Sequence, residues 1–148
     1  RDVVLRGAFK HTLSGRAKEI KLLWQHQWEE PIGMVVKLFE DDKGLYVEGL
    51  LLMAVARARE AYALLKAGVV NGLSIGYTPG RWLRDADSGV RKLQSIDLWE
   101  ISLVTMPANP AAKVTVVKAD VADEMQLIRS GEMMRLAAAL EKSAKVIR

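Results

Sequence analysis

Apolar and polar positions are spaced along the chain so as to predict a β-rich body, one internal helix and a helical tail. Pro31 to Glu40 (PIGMVVKLFE) and Gly44 to Leu52 (GLYVEGLLL) have strand character, and the turn-like Asp41-Asp42-Lys43-Gly44 between them predicts a hairpin. Ala54 to Ala67 predicts a helix, with Val55, Ala58, Tyr62 and Leu65 at spacings of three or four and Gly68 placed to stop it. Leu73 to Tyr77 and Gly89 to Ile96 read as strands around a polar loop, Arg84 to Ser88. Leu98 to Thr105 makes the strongest case for a strand, and a proline turn, Pro107 to Pro110, leads on to a short strand over Lys113 to Lys118. Asp123 to Ile147, rich in Met, Leu, Ala, Glu and Lys, predicts helix with an interruption near Ser130-Gly131. The class is α+β. Residues 1–118 form the body, with its internal helix at 54–67, and residues 119–148 a C-terminal helical segment that packs on the body or serves self-association.

Three stretches interrupt this pattern with a single polar residue capable of chemistry. They are Leu22 to Gly33 with His26, Asn71 to Tyr77 with Ser74, and Asp97 to Ala111 with Glu100. In the last, the β period puts Leu98, Glu100, Ser102 and Val104 on one face and Trp99, Ile101 and Leu103 on the other. Glu100 therefore points where an aliphatic side chain is expected, and a buried carboxylate needs a partner. An isolated Glu in a strand is more often paired with an arginine, and Asp97 is the competing acid. His26 lies between Trp24 and Trp28, a setting that more often holds a structural histidine. It is selected because only His11 competes, in a polar Lys-His-Thr context suited to the surface.

Ser74 is flanked by Gly72 and Gly76, which permit close approach of another backbone and leave amides available to an oxyanion. The letters G-L-S-I-G fit the hydrolase elbow, yet that motif requires a strand, a sharp turn and a helix, whereas SIGYTP runs on as strand. A serine, a histidine and an acid are the parts of a nucleophilic triad, so a serine hydrolase is the leading reading.

Composition narrows the field. With 148 residues, no Cys and two His, the chain has room for one domain, no disulfide framework and no Cys-based metal site, and no metal or cofactor is expected. No apolar stretch is long enough for a membrane span, and the start RDVVLRGAFK lacks a signal-peptide apolar region, which suggests a soluble intracellular protein. The net charge of +4 comes from scattered residues such as Arg57, Arg59, Arg81, Arg84, Arg91 and Lys92. No dense basic run is interleaved with aromatics, so a solvated basic surface is expected rather than a specific nucleic-acid groove.

Taken as a set, WQHQWEEPIG, DDKGLYVEGLL, AREAYALLKAGVVNGLSIGY and DLWEISLVTMPANPAAKV closely resemble the prohead protease family of tailed bacteriophages, and RGAFKHTL resembles its GAF-containing opening stretch. The resemblance covers roughly Asp2 to Lys118. It implies a mainly antiparallel β-barrel surrounded by helices, similar to the herpesvirus maturation protease. It also implies a Ser-His-acid endopeptidase that digests scaffold and capsid-precursor segments in the host cytoplasm, inside the assembling procapsid, with self-cleavage and self-association plausible. Matched by motif, Ser74 is the nucleophile, His26 the base and Glu100 the acid. Backbone amides near Gly72 to Gly76, or an arginine such as Arg81, would serve the oxyanion. Family members carry a further strand-forming segment before the GAF stretch, so an N-terminal piece outside this chain is expected, and an acidic residue commonly stands where this chain has Gln27. The rival readings are a non-catalytic capsid-assembly or scaffold-binding module on the same fold, and a basic nucleic-acid-binding barrel.

Overall fold

The computed structural model describes residues 2–118 and 145–147. In chain order the described elements are β1 (Asp2–Val4), α1 (Lys10–Gly15), a 3-10 turn (Ala17–Glu19), β2 (Lys21–Trp24), β3 (Gln27–Asp41), β4 (Gly44–Leu51), α2 (Ala56–Lys66), β5 (Gly72–Pro79), β6 (Trp82–Arg84), β7 (Arg91–Leu93), β8 (Ile96–Val104) and β9 (Lys145–Ile147). They build a six-stranded sheet in the order β5-β8-β2-β3-β4-β9 and a three-stranded sheet in the order β1-β7-β6. The class is α+β, mostly strand. Pairing is antiparallel except for β2 with β8 and β1 with β7.

The expected hairpin forms as β3 and β4. Asp41 Oδ1 accepts the N–H groups of Lys43 at 2.7 Å and Gly44 at 3.1 Å, so the acidic side chain organises its own turn. The expected helix is present as α2, ended by Gly68 at φ +71°. It buries Ala58, Ala61 and Leu65, and the two alanines, both fully enclosed, let its backbone lie close to β3 and β4. The main core joins these to Leu22, Ile32, Val47, Leu51, Leu73, Leu93, Leu98, Ile101 and Leu103. Burying such side chains yields about 1.5–3 kcal/mol each, the principal stabilisation of the sheet against the helix.

Helix α1 fixes the start of β8. The buried Thr12 hydroxyl accepts from the Leu98 N–H at 3.1 Å, and Ala8 O accepts from the Ile96 N–H at 3.0 Å. Across the smaller sheet, the Asp2 carboxylate accepts from Arg91 Nε at 2.9 Å and from the Tyr77 hydroxyl at 3.2 Å, which ties β1 to β7 and to β5.

Several expectations require correction. Among the described residues the sheets do not close into a barrel, because the outer strands of the larger sheet, β5 and β9, do not pair with one another. Leu73 N–H donates to Ala112 O and Val114 N–H to Asn71 O along the start of β5, while β9 covers Val47 to Gly49 of β4. The strand expected over Gly89 to Ile96 is split. The N–H groups of Gln94 and Ser95 both donate to Arg81 O, which leaves β7 on one sheet and Ile96 as the first residue of β8 on the other. Lys113 to Lys118 contributes a single bridge, Lys113 with Gly72, rather than a strand. Of the expected helical tail, residues 123–144 lie outside the described residues, and Lys145–Ile147 form strand β9 where helix was expected, two of the three being β-branched residues that suit a sheet edge. Among the described residues no helix is long and apolar enough to cross a membrane.

Candidate active site

His26 is held in an unusual local conformation. β2 and β3 are joined by a two-residue turn, Gln25-His26, between the paired residues Trp24 and Gln27. Both turn residues have positive φ, 51° and 61°, a requirement of tight hairpin turns that Asn and Gly meet more readily. Such conformations cost about 1–2 kcal/mol per non-glycine residue and persist where surrounding contacts over-determine them. Those contacts all come from β8 and the residue after it. Gln25 N–H donates to Leu103 O at 2.9 Å, its side-chain amide donates to Thr105 Oγ1 at 2.7 Å, and its amide oxygen accepts from the Thr105 N–H at 3.2 Å. His26 N–H donates to Ser102 Oγ at 3.1 Å.

The imidazole thus stands beside the acid that β8 presents. His26 Nδ1 is 2.5 Å from Glu100 Oε1, with the histidine side chain 44 % exposed and the carboxylate nearly enclosed. Glu100 Oε2 accepts from the Ser102 hydroxyl at 2.6 Å, so both acid oxygens are engaged. Room for this carboxylate exists because Gly76 lies opposite Glu100 in the β5–β8 pair. A Cβ built there would come within 2.9 Å of Glu100 Cγ and Cδ.

Ser74 faces Ser102 across the same pair, so Ser74, Ser102 and Glu100 share one face of the sheet. Ser74 is partly exposed, whereas Ser102 is fully buried. The structure brings His26 and Glu100 into contact and sets Ser74 on their face without joining it to them. Among the described residues neither Ser74 Oγ nor His26 Nε2 makes a hydrogen bond. Nucleophile-to-base bonds are often long before substrate binds and tighten in the complex. Because Leu73 directs its N–H outward to Ala112, the N–H of Ile75, two residues on, points to the same outer edge of β5.

The competing groups are committed elsewhere. Asp97 accepts from Arg16 Nη1 at 2.8 and 3.0 Å, and His11 is exposed on helix α1. Arg81 follows the far end of β5, whose residues from Ser74 to Pro79 extend roughly 16 Å at the usual rise, beyond the reach of its side chain. Tyr77, also on β5, donates its hydroxyl to Asp2; burial first, then this bond, pushes its phenol above the ordinary value. Sequence reading placed Ser102 on the face of Glu100 but gave it no role, and it gave none to Gln25 or Thr105. The two-residue spacing of Glu100 and Ser102 on one strand was the available signal for the first; nothing local signals the contact between Gln25 and Thr105, eighty positions apart.

The family described as caudovirus prohead serine protease matches residues 1–127. The chain is 34 % identical over 148 residues to the prohead protease of Enterobacteria phage HK97, covering 98 % of this chain and 65 % of that protein. It is 38 % identical over 112 residues to the capsid polyprotein of Pseudomonas phage PAJU2, covering 67 % of this chain and 16 % of that protein. It is 26 % identical over 121 residues to the prohead protease of Escherichia phage T5, covering 79 % of this chain and 56 % of that protein. The chain therefore spans less than two thirds of the length of each of these relatives. No solved structure matches it.

Proposed function

Because the chain belongs to the caudovirus prohead serine protease family, we propose that it is a serine endopeptidase of procapsid maturation acting through Ser74, His26 and Glu100. The observation that carries this reading is the His26–Glu100 contact of 2.5 Å on the sheet face that also bears Ser74. In the proposed reaction His26 Nε2 takes the Ser74 proton as Oγ attacks the scissile carbonyl. Glu100, bound to the opposite ring nitrogen, fixes the tautomer and stabilises the imidazolium. The outward N–H of Ile75, the residue after the nucleophile, is suited to receive the developing oxyanion at the edge of β5. The proton then passes from His26 to the leaving amine, and water repeats the cycle on the acyl-enzyme.

The substrates proposed are scaffold or capsid-precursor segments, with self-cleavage, inside the procapsid in the host cell. The matching stretch of a protein named capsid polyprotein supports a capsid precursor as partner. Residues 1–118 are proposed as the protease domain, with a herpesvirus-protease-like architecture. Register shifts in β2, β3 and β5 supply the sheet curvature that such an architecture needs.

The test is intact-mass analysis of the chain and of Ser74→Ala after exposure to a fluorophosphonate and, separately, to the capsid precursor. Labelling and precursor cleavage by the unsubstituted chain alone are expected. Equal labelling of both proteins would remove Ser74 from the mechanism. Binding of the precursor by the folded chain with no labelling or cleavage would establish the non-catalytic assembly module instead.

A further inference from the structure

The face shared by Ser74 and Glu100 carries a second serine, and the two serines are chemically unlike. Ser102 is fully buried, donates its only hydroxyl proton to Glu100 Oε2 at 2.6 Å and accepts the His26 backbone N–H at 3.1 Å. We propose that Ser102 is a positioning residue of this site, one hydroxyl that aims the Glu100 carboxylate at His26 and at the same time holds the turn on which His26 is presented. The inference rests on the triad reading above and deepens it.

A carboxylate with one oxygen on a histidine is free to rotate about Cγ–Cδ unless the other oxygen is held. In a buried setting that other oxygen also needs a donor, because an unsatisfied buried acceptor is costly. Ser102 supplies that donor from the same strand, two residues along, where the β period returns its side chain to the face of Glu100. Its lone pair then meets the His26 N–H, an amide in a positive-φ turn with no ladder partner of its own. A single hydroxyl thus sets the orientation of the acid and the position of the base. The same commitment explains why Ser102 does not compete with Ser74 as nucleophile: its proton is directed at an acid, and it has no exposed surface.

A small buried serine is also compatible with simple packing, so the test separates the hydroxyl from the volume. Ser102→Ala removes the hydroxyl at nearly the same residue volume, Ser102→Cys replaces it with a bulkier thiol that is only a weak donor, and Ser102→Thr keeps the hydroxyl and adds a methyl group. With the fluorophosphonate as probe, Ala and Cys are expected to lower kinact about tenfold or more while KI stays within about twofold, and Thr to remain within about threefold of the unsubstituted chain. A folded Cys variant with unchanged kinact, a loss confined to KI, or a Thr loss equal to that of Ala would each overturn the proposal.

A second readout needs no reaction. The His26 Nδ1 proton, identified by its loss in Glu100→Gln, is expected to resonate far downfield and to move or exchange away in Ser102→Ala and Ser102→Cys. A resonance unmoved in both variants would overturn the positioning role. If the unsubstituted chain is not labelled, the protease reading fails, and this resonance alone still decides the role of Ser102.

Discussion

His26 Nδ1 lies 2.5 Å from Glu100 Oε1, joining a half-exposed base to an acid that is 2 % exposed. Glu100 is the fixed partner and His26 the one that reaches solvent, an asymmetry suited to the proposed role, in which the histidine would meet Ser74 with its other nitrogen. Glu100→Gln tests it without changing shape. Ser102 would hold the amide oxygen, which leaves the NH2 group facing His26 Nδ1 and forces that nitrogen to accept. The proton then sits on Nε2, and in the proposed mechanism His26 could no longer take one from Ser74. A fall in activity of about 10³-fold or more is expected, with an unchanged far-UV spectrum. A Glu100→Gln protein with more than about a tenth of the original rate would place the acid elsewhere.

Gly76 is expected to behave as an active-site residue although it has no side chain. A methyl group there meets Glu100 Cγ and Cδ at 2.9 Å and leaves the carboxylate no room to keep both of its bonds. Gly76→Ala should cost about 1–3 kcal/mol in urea unfolding, the usual range for overpacking, and should depress the rate of labelling beyond what the stability loss explains. Retention of both full stability and full labelling would show that the pair at Glu100 tolerates displacement.

The Asp85 loop provides a pH-dependent stability term remote from the site. Asp85 accepts from Lys92 Nζ at 2.6 Å and from the Ser88 N–H and hydroxyl at 3.0 and 2.8 Å. Those bonds, the one from Lys92 foremost, hold its carboxyl well below the usual carboxylate range. A depressed folded-state value stabilises the protein above the unfolded value of 3.8, and the contribution is lost as pH falls through the folded one. Asp85→Asn should therefore lower the urea midpoint at about pH 7, and the gap from the unsubstituted chain should shrink once pH drops below about 4. A gap independent of pH would mean that the Asp85 charge contributes nothing.

The strands around the site were legible because their patterns are local. The hairpin of β3 and β4, helix α2 with Gly68 at its end, and the cores of β5 and β8 follow from periodicity and turn residues. The contact of His26 with Glu100 was expected from the cost of burying an unpaired acid and from the family resemblance, and the structure brings the two together. What escaped depends on register. The parallel pairing of the short β2 with β8 sets Leu23 beside Ser102 and Trp24 beside Leu103, and four residues carry too little pattern to announce a strand. The open sheet edges escaped for a similar reason, since the hydrogen bonds of Ala112 with Leu73 and of Val114 with Asn71 are backbone contacts that no side-chain pattern encodes.

The turn itself separates two opposing effects at one position. Gln25 has φ 51°, unfavourable for a side chain, yet its amide makes two hydrogen bonds with Thr105 that dock the turn on the end of β8. Gln25→Ala loses the bonds and keeps the strain, so it should be destabilised by about 1–2 kcal/mol. Gln25→Gly loses the same bonds but relieves the strain, and it should recover about 1 kcal/mol relative to Ala. Activity is expected to follow docking rather than strain. Both variants should label with fluorophosphonate more slowly than the unsubstituted chain, and Gly, despite its greater stability, should be no faster than Ala, because a glycine turn without the Thr105 contacts lets His26 drift from Glu100. Unfolding curves and labelling rates measured on the same samples would check this, and a Gly variant that recovers activity in step with stability would show that strain relief, not docking, governs the position of His26.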